Sequence, residues 1–480
     1  MIKEADRMLL PEPLSFPQLY EEVREALRLW HNTGPDNPLG HLVYFRSHRQ
    51  DLPNTSRNLV NQLLLNKLES LEITSPELAQ VISMRYLDGM KATVVAHHMT
   101  VSTANLSRLQ KQAITRLAEL IQEDELTARQ ELYLQFQARL APPSYDCLFG
   151  IENPAQVVSE LLQKEDGIWL ISVEGIGGIG KTSLANVMIR RAIVNGWFED
   201  FGWISARSQR FQLTGKINSL NEPALTADAL LEQLATQILG DESLPQPISA
   251  KTVFPILKAR FQSMPHLVVI DNLETVSDIE SLLPILQQLS NPSKFLITSR
   301  ESLYSEVATF PYRVPALTET SAIDLIRHEA GLRNQPRLQN ADDEELQSIY
   351  EIVGGNPLAL RLIVGQTRVH QLDVILQDLK KARGQAIENL YTYIYRFAWD
   401  SLDEVSRRAL LAMPFASTEG GLLEDLAGIC KLEPGELRSA LNELVRRNLV
   451  NNLGDYTQSR YAIHSLTRTF LMKQVAKWTQ

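Results

Sequence analysis

The chain has 480 residues, of which 44% are hydrophobic and 22% charged, and its formal net charge is -10 at pH 7. The length suggests about three domains, and the composition is ordinary for a soluble globular protein. The negative charge excludes a molecule that binds polyanions over its whole surface, so a nucleic-acid contact would need a local basic patch.

The N-terminus lacks the apolar core of a signal peptide, and no apolar window of about 18 residues predicts a membrane span. Cys147 and Cys430 lie far apart and match no metal or redox motif, which favours two reduced thiols. We therefore expect a cytoplasmic protein that makes no membrane contact.

Residues 1–140 are predicted to form an all-α domain. Apolar residues recur at helical spacing over residues 19–27 and 59–68. Paired prolines cannot continue a helix, so residues 141–149, which begin Ala-Pro-Pro, are predicted to be a linker.

Residues 76–120 of this domain follow the pattern helix, glycine turn, helix, short turn, helix. Gly89 marks the first turn, and Thr100 or Ser102 is a suitable N-cap for the third helix. The pattern resembles the helix-turn-helix of sigma factor region four. The inner face of the third helix is predicted to consist of Ala104, Leu106, Leu109, Ala113, Leu117 and Leu120.

In the geometry that this resemblance implies, the helix from Ser102 enters the major groove of DNA. Between Arg85 and Leu117, five basic residues are opposed only by Asp88, which makes a modest basic patch. A helical protein-interaction domain on the same scaffold is the alternative, because a fold does not fix a function. The residues predicted to face DNA are Thr103, Asn105, Ser107, Arg108, Lys111 and Arg116.

Residues 150–312 alternate short apolar runs with helical patterns, which predicts a three-layer α/β domain around a parallel sheet. Ligands of such domains bind at the carboxyl ends of the strands. The four candidate strands are 169–173, 201–205, 267–270 and 295–298.

The sequence from Gly175 to Thr182 matches G-x-x-x-x-G-K-[ST] and lies between the first candidate strand and a predicted helix. Glycines allow the backbone N–H groups to turn toward phosphate oxygens, and the helix N-terminus adds partial positive charge. Lys181 would contact the β- and γ-phosphates, and Thr182 would bind Mg²⁺. The residues predicted to hold ATP or ADP here are Gly175, Gly177, Gly178, Ile179, Gly180, Lys181, Thr182 and Ser183.

Asp271 follows the third candidate strand and would hold Mg²⁺ together with Thr182. The next residue is Asn272, and an amide cannot take a proton from an attacking water near neutral pH. Glu274 could replace that base, although a first-turn acid of the next helix is the reading that we favour. We therefore expect slow hydrolysis that resets a switch rather than rapid turnover.

Thr298 and Arg300 end the fourth candidate strand and are predicted to lie beside the phosphates. Arg300 would bind the γ-phosphate through paired hydrogen bonds; its alternative role is a surface ion pair with Glu301 or Glu306. The candidate catalytic residues are thus Lys181, Asp271 and Arg300.

Residues 313–390 are predicted to form a helical subdomain with one break at Gly354-Gly-Asn-Pro357. Residues 391–480 begin with helices, and residues 449–463 form a candidate hairpin with Gly454 and Asp455 near its turn. Helices followed by a hairpin and another helix predict a winged-helix domain.

From about residue 147 to residue 475, the chain resembles the NB-ARC class of STAND nucleotide switches. This class includes plant disease-resistance receptors and bacterial signalling ATPases. The motifs that carry the resemblance are, in order, the phosphate loop, Phe201-Gly-Trp-Ile-Ser205, Val268-Val-Ile-Asp271, Leu296-Ile-Thr-Ser-Arg300, Gly355-Asn-Pro-Leu-Ala359 and Ile463-His464-Ser465.

The resemblance implies further contacts with the nucleotide. Phe149 and Gly150 match the family's entry motif near the adenine, with Ile151 where arginine is usual. Pro357 matches a proline that packs near the adenine, whereas its sequence context alone indicates only a helix break. His464 matches a histidine that contacts the β-phosphate of ADP, whereas a single histidine after a strand is otherwise more often structural.

The resemblance also implies a switch, in which ADP holds the winged-helix domain through His464 and ATP releases it for homo-oligomerisation. Ser465 stands where the family usually has aspartate, which leaves the strength of the ADP-held state open. Family members usually carry a C-terminal repeat sensor. We expect either that the chain is truncated after Gln480 or that a separate protein or the N-terminal domain senses the signal.

The leading prediction is an ATP/ADP-switched transcriptional regulator that binds DNA through its N-terminal helix-turn-helix. The alternative is a signalling or defence scaffold whose N-terminal domain recruits a protein effector.

Overall fold

The protein is described by a computed structural model, and its chain divides into two compact units. One unit comprises Met8–Ala138 and Arg190–Trp197, and the other comprises Met1–Arg7, Arg139–Ile189 and Phe198–Gln480. The described residues are 15–32, 38–48, 56–141, 143, 145, 147–165, 167–205, 209–211, 217–219, 226–240, 244–245, 247–273, 276, 279–303, 309–367, 372, 402–416, 421–446, 449–452, 459–463 and 471.

Every element described between Phe16 and Gln137 is a helix. Buried leucines and valines from several of these helices share one core, in which Leu19, Leu63 and Leu117 are at most 5% exposed. A π-helical turn, Ser83–Leu87, follows the fourth helix. The six α-helices are α1 Phe16–Arg28, α2 Val43–Ser47, α3 Ser56–Thr74, α4 Pro76–Ile82, α5 Ala92–His98 and α6 Thr103–Gln137.

Helix α6 begins where the sequence indicates and ends much later. The Ser102 hydroxyl accepts a hydrogen bond from the Asn105 N–H at 3.1 Å, so Ser102 is the N-cap. The predicted end near Leu120 is wrong, because no proline or glycine interrupts the helix before Gln137. Ala104, which was placed on the inner face, is exposed, and Leu120 is half-buried.

The second unit contains a five-stranded parallel sheet in the order β2-β5-β6-β1-β7. Four strands confirm the four predicted ones to within about two residues, and they are buried on both faces. The edge strand β7 was not predicted, because its partly exposed sequence Thr-Phe-Pro-Tyr-Arg contains proline and no continuous apolar run. The strands are β1 Leu170–Glu174, β2 Asp200–Ser205, β5 His266–Asp271, β6 Lys294–Ser299 and β7 Thr309–Arg313.

A short antiparallel pair, β3 Gln209–Phe211 and β4 Ile217–Ser219, follows β2. The helices of this part of the chain supply much of the sheet's cover, and residues of α9 to α11 share a core with Val268 and Phe295. The helices are α7 Glu152–Gln163, α8 Lys181–Val194, α9 Ala227–Leu239, α10 Ala250–Ser263 and α11 Ile279–Leu289.

The C-terminal part of this unit is helical with a small antiparallel sheet. Strands β8 Gly421–Leu422, β9 Asn451–Asn452 and β10 Arg460–Ala462 are ordered β8-β10-β9. The antiparallel pairing of β9 with β10 agrees with the predicted hairpin, whose turn at Gly454 and Asp455 lies outside the described residues. The helices are α12 Glu319–Leu332, α13 Pro336–Gln339, α14 Asp343–Val353, α15 Pro357–Gln366, α16 Glu404–Ala412, α17 Leu423–Cys430 and α18 Pro434–Arg446.

Within the described part of the chain, no helix is both long enough and apolar enough to cross a bilayer.

A charged cluster lies at the amino ends of β2 and β5. The Asp200 carboxylate accepts hydrogen bonds from Arg139 Nη1 at 2.8 Å and from the Phe201 N–H at 2.7 Å. The fully buried His266 has its Nε2 3.6 Å from Asp200 Oδ2 and its Nδ1 2.6 Å from the Met264 carbonyl oxygen. Burial lowers the pKa of His266 to about 4, against the opposing attraction of Asp200.

This depressed pKa predicts a loss of stability between about pH 6.5 and pH 4. The unfolded chain takes up a proton at His266 near pH 6.5 while the folded chain does not, so the free energy of unfolding falls as pH falls, by on the order of 3 kcal/mol at most. His266→Gln removes this titration and should give a flatter dependence of the denaturation midpoint on pH. The exposed His41, changed to Gln, is the control; equal slopes for wild type and His266→Gln would contradict the prediction.

Candidate functional site

The phosphate loop connects β1 to α8, as its sequence predicts. Gly175, Gly178 and Gly180 have φ of 150°, 77° and 109°, which residues with a side chain rarely adopt. The buried Lys181 donates from Nζ to the carbonyl oxygens of Gly175 at 2.7 Å and Ile176 at 3.1 Å. The Lys181 ammonium group is therefore hydrogen-bonded to the backbone of the phosphate loop itself.

Asp271 is the point at which three segments of this site meet. Its Oδ1 accepts hydrogen bonds from the hydroxyls of Thr182 and Thr298, each at 2.7 Å, and the residue is 3% exposed. The sheet order explains the meeting, because β6 pairs with both β5 and β1 and so brings their carboxyl ends to one edge. The structure thus joins the two predicted Mg²⁺ ligands directly.

The segment Gly354–Pro357 is docked on the phosphate loop and is more than a helix break. Asn356, fully buried, donates from Nδ2 to the Gly177 carbonyl oxygen at 3.1 Å, and the Leu358 N–H donates to the Gly178 carbonyl oxygen at 3.3 Å. Asn356 also caps α15, since its Oδ1 accepts from the Ala359 N–H at 3.1 Å. Pro357, as the first helical residue, has no N–H to lose there.

A cleft opens beside the phosphate loop. It is lined by helix α12, by the start of α15 and by residues that precede α7. The predicted ligand residues that line it are Phe149, Gly150, Ile179, Gly180, Ser183 and Pro357.

The residues present fit a Mg²⁺–nucleotide. A Cβ atom built on Gly180 would meet no atom within 4 Å, so the backbone there faces open space. Lys181 supplies a cation, and Thr182 and Asp271 supply the hard oxygen ligands that Mg²⁺ prefers.

Comparison with known proteins agrees with this geometry. Residues 151–335 match the family described as the NB-ARC domain. Over these residues the chain is similar to NB-ARC domains.

Similar curated proteins come from Arabidopsis thaliana. The chain is 20% identical over 327 residues to disease susceptibility protein LOV1, a match that covers 66% of this chain and 34% of that protein. It is 27% identical over 230 residues to probable disease resistance protein At1g59620, which covers 46% of this chain and 24% of that protein. The chain thus spans only about a quarter to a third of the length of these two relatives.

Two solved structures are also similar. The Walker-type ATPase PABY2304 of Pyrococcus abyssi has a TM-score of 0.48 and 16% identity, and covers 71% of this chain and 99% of that one. The STAND protein PH0952 of Pyrococcus horikoshii, with a tetratricopeptide repeat sensor, has a TM-score of 0.32 and 15% identity, and covers 69% of this chain and 43% of that one. Both TM-scores are too low to bear on function.

Asn272 supports Asp271 through a hydrogen bond. Its Nδ2 donates to Asp271 Oδ2 at 3.2 Å, and its backbone N–H donates to the Thr298 hydroxyl at 2.8 Å with a φ of 61°. A carboxylate at position 272 could not donate this bond and would place a like charge beside Asp271. Glu274, the possible substitute base, lies outside the described residues.

Arg300 lies at the same edge of the sheet. It follows Ser299, the last residue of β6, which pairs in register with Glu174 immediately before the phosphate loop. Arg300 is half-buried, and its contact with a γ-phosphate stays a prediction. His464 and Ser465 lie outside the described residues, so the predicted contact of His464 with ADP also stays a prediction.

The linker forms part of the cleft wall, which its sequence did not indicate. Tyr145 donates from its hydroxyl to Asn186 Oδ1 at 3.0 Å, and Asn186 Nδ2 donates to the Ala141 carbonyl oxygen at 2.8 Å. Asn186 belongs to α8, so the helix that follows the phosphate loop also fixes the linker. Cleft residues that sequence reasoning missed include Tyr145, Cys147, Leu317, His328, Glu329 and Arg361.

The residues predicted to face DNA lie near the start of α6. Thr103, Arg108 and Lys111 are exposed, and Asn105 is half-buried. The Arg108 guanidinium donates to Asn105 Oδ1 at 2.9 Å and to Gln112 Oε1 at 3.4 Å. The Arg108 guanidinium is therefore hydrogen-bonded to two side chains of its own helix, α6.

Gly178→Ala is expected to weaken nucleotide binding. A Cβ at Gly178 would lie 2.6 Å from Leu358 Cβ and would adopt a φ of 77°, so the phosphate loop and α15 must move apart. Strain of this kind costs about 1–3 kcal/mol, and we expect the affinity for ADP, measured by titration calorimetry, to fall about tenfold.

Gly167→Ala is the matched control, because Gly167 has a similar φ of 72° but no atom within 4 Å of the position that a methyl group would occupy. It should bind ADP as the wild type does. Equal affinities for Gly178→Ala and wild type would show that the docking of α15 on the loop is unimportant for binding.

Proposed function

We propose that the chain is a nucleotide-controlled switch within a signalling or defence scaffold, whose N-terminal helices recruit a protein effector. The observation that carries the nucleotide part is the contact of Thr182 with Asp271 beneath the glycine loop. The names of the plant relatives, disease susceptibility and disease resistance proteins, support the signalling part.

Each residue of the site has a distinct task in this proposal. Lys181 exchanges its loop carbonyls for the β- and γ-phosphate oxygens, and Arg300 contacts the γ-phosphate. Thr182 and Asp271 hold Mg²⁺, which when bound neutralises phosphate charge. Asn272 donates to Asp271 and cannot act as a base, so hydrolysis is slow and serves to reset the switch.

The docking of α15 on the loop provides a route from nucleotide to conformation. Asn356 and Leu358 donate to carbonyl oxygens of the phosphate loop itself, so a change in loop geometry alters these bonds directly. A nucleotide can shift such an equilibrium only by its different affinities for the two states. ADP favours the docked state in this proposal, and ATP favours a released state that forms homo-oligomers.

The domain boundaries belong to the same proposal. Residues 150–312 bind the nucleotide, 313–390 form the helical subdomain, and 391–480 form a winged-helix domain that His464 connects to ADP. The three helices α16 to α18 and the sheet β8-β10-β9 support the winged helix. Residues 1–140 form the output domain in the cytoplasm.

DNA binding through residues 76–120 is a second candidate. The exposed Thr103, Arg108 and Lys111 on one helix favour it. The bonds of Arg108 to Asn105 and Gln112 are exposed and weak enough to exchange for phosphate contacts.

Lys181→Ala tests the nucleotide part of the proposal. Removing the ammonium group eliminates charge-assisted bonds to the phosphates, each worth about 1.5–3 kcal/mol, so affinity for ATP and ADP should fall at least tenfold, or about 1.4 kcal/mol. The exposed Lys251, changed to Ala, is the control. Wild-type affinity in Lys181→Ala would refute nucleotide binding at this loop.

DNA retention separates the two output functions. An effector-recruiting domain should show no retention of duplex DNA at about 50 mM salt. Retention whose slope of log affinity against log salt drops by about 2 in the double variant Arg108→Ala, Lys111→Ala would instead establish the DNA contact, since each phosphate contact contributes a slope of about 0.9.

A further inference from the structure

The cleft beside the phosphate loop contains one polar group that the proposed function leaves unexplained. His328 of α12 contributes to the cleft wall. Its Nε2 is shielded from solvent and has no hydrogen-bond partner among the described residues. A buried polar atom of this kind carries a free-energy cost comparable to a lost hydrogen bond, so it calls for a physical reason.

Other polar groups of the same wall do have partners in the protein. The Glu329 carboxylate pairs with Arg333 and with Arg361, whose Nε lies 2.7 Å from Glu329 Oε1. The Tyr145 hydroxyl donates to Asn186. Arg361 Nε also lacks hydrogen-bond geometry, but its charge is paired with the Glu329 carboxylate, whereas His328 Nε2 has no such pair and has hydrogen-bonding capacity to offer a ligand.

The surroundings of His328 suit a flat aromatic base. Its ring packs against Phe149 with the ring centroids 5.5 Å apart, and Phe149 and Pro357 line the same cleft. Apolar rings and prolines cover the faces of a base, whereas its edge carries donors and acceptors that need polar partners. A neutral imidazole nitrogen can donate or accept according to the tautomer, so it can pair with either kind of atom on the base edge.

We propose that His328 is a base-recognising residue, whose Nε2 forms a hydrogen bond with the edge of the adenine ring. The inference rests on the proposed function, because it requires a nucleotide with its phosphates on the loop that ends at Gly180. The base then lies between Phe149 and Pro357, and the solvent-shielded nitrogen gains its partner only when the His328 ring turns toward the cleft in the nucleotide complex. His328 acts on binding and specificity and takes no part in phosphate chemistry.

The test compares ADP with inorganic pyrophosphate, which has phosphates but no base. His328→Phe keeps an aromatic ring beside Phe149 and removes both ring nitrogens, so affinity for ADP should fall about 3- to 10-fold, the effect of one hydrogen bond. Affinity for pyrophosphate should not change. His328→Gln, whose amide donates and accepts, should lose less than His328→Phe, and Asp324→Ala, an exposed change on the same helix, should lose nothing.

Two outcomes would overturn the inference: an unchanged affinity of His328→Phe for ADP, or equal losses for ADP and pyrophosphate, which would indicate a structural role. If His328→Phe does not fold, histidine-labelled wild type decides by NMR. ADP but not pyrophosphate should shift the His328 ring resonances, and the absence of this difference counts against the proposal. Failure of wild type to bind ADP, or intact ADP binding in Lys181→Ala, would instead refute the proposed function itself.

Discussion

The phosphate-loop site depends on the hydrogen bonds that two hydroxyls donate to one buried carboxylate. Thr182 and Thr298 donate to the same oxygen of Asp271, which ties the helix after the phosphate loop to the ends of two strands. The Asn272 amide donates to the other oxygen. A buried carboxylate is costly unless it is hydrogen-bonded, so these bonds stabilise the arrangement in which a metal ion finds its ligands in place.

The second constraint is the close approach of the helical segment to the phosphate loop. A Cβ on Gly355 would overlap the carbonyl oxygen of Leu317, and a Cβ on Gly178 would overlap Leu358. Glycine at position 355 lets this segment lie against the backbone of Leu317, and glycine at position 178 leaves room for the Leu358 side chain. In this arrangement Asn356 donates to the loop. The start of α15 is therefore in hydrogen-bond contact with the phosphate loop.

The cleft wall combines segments that are far apart in the sequence. The linker residue Tyr145, the loop residue Gly180 and the helix residue His328 all line it. Asn186 accepts a hydrogen bond from the Tyr145 hydroxyl and donates one to the Ala141 carbonyl oxygen, and these bonds hold the linker on α8. A base in this cleft would thus contact both the linker and helix α12.

The sequence by itself determined the elements whose signals are local. Four buried strands appear as apolar runs, Ser102 appears as an N-cap, and the glycines with Lys181 and Thr182 appear as one phosphate loop, because each depends on neighbours within a few residues. The positions of Asp271 and Thr298 at the ends of two candidate strands also predicted that both lie at the ligand-binding ends of the strands. These features follow from backbone periodicity and from the chemistry of single side chains.

Only the tertiary structure decided which distant groups meet. In the sequence, Asn272 indicates only that a catalytic base is missing, whereas in the structure its side chain donates a hydrogen bond to Asp271. The sequence around Asn356 indicates only a helix break, whereas in the structure its side chain donates a hydrogen bond to the Gly177 carbonyl oxygen. His328 and Tyr145 gave no local signal, since a single polar residue on an amphipathic helix or in a proline-containing linker has the same pattern whether or not it lines a cleft. Such contacts depend on the packing of whole elements, which local periodicity does not encode.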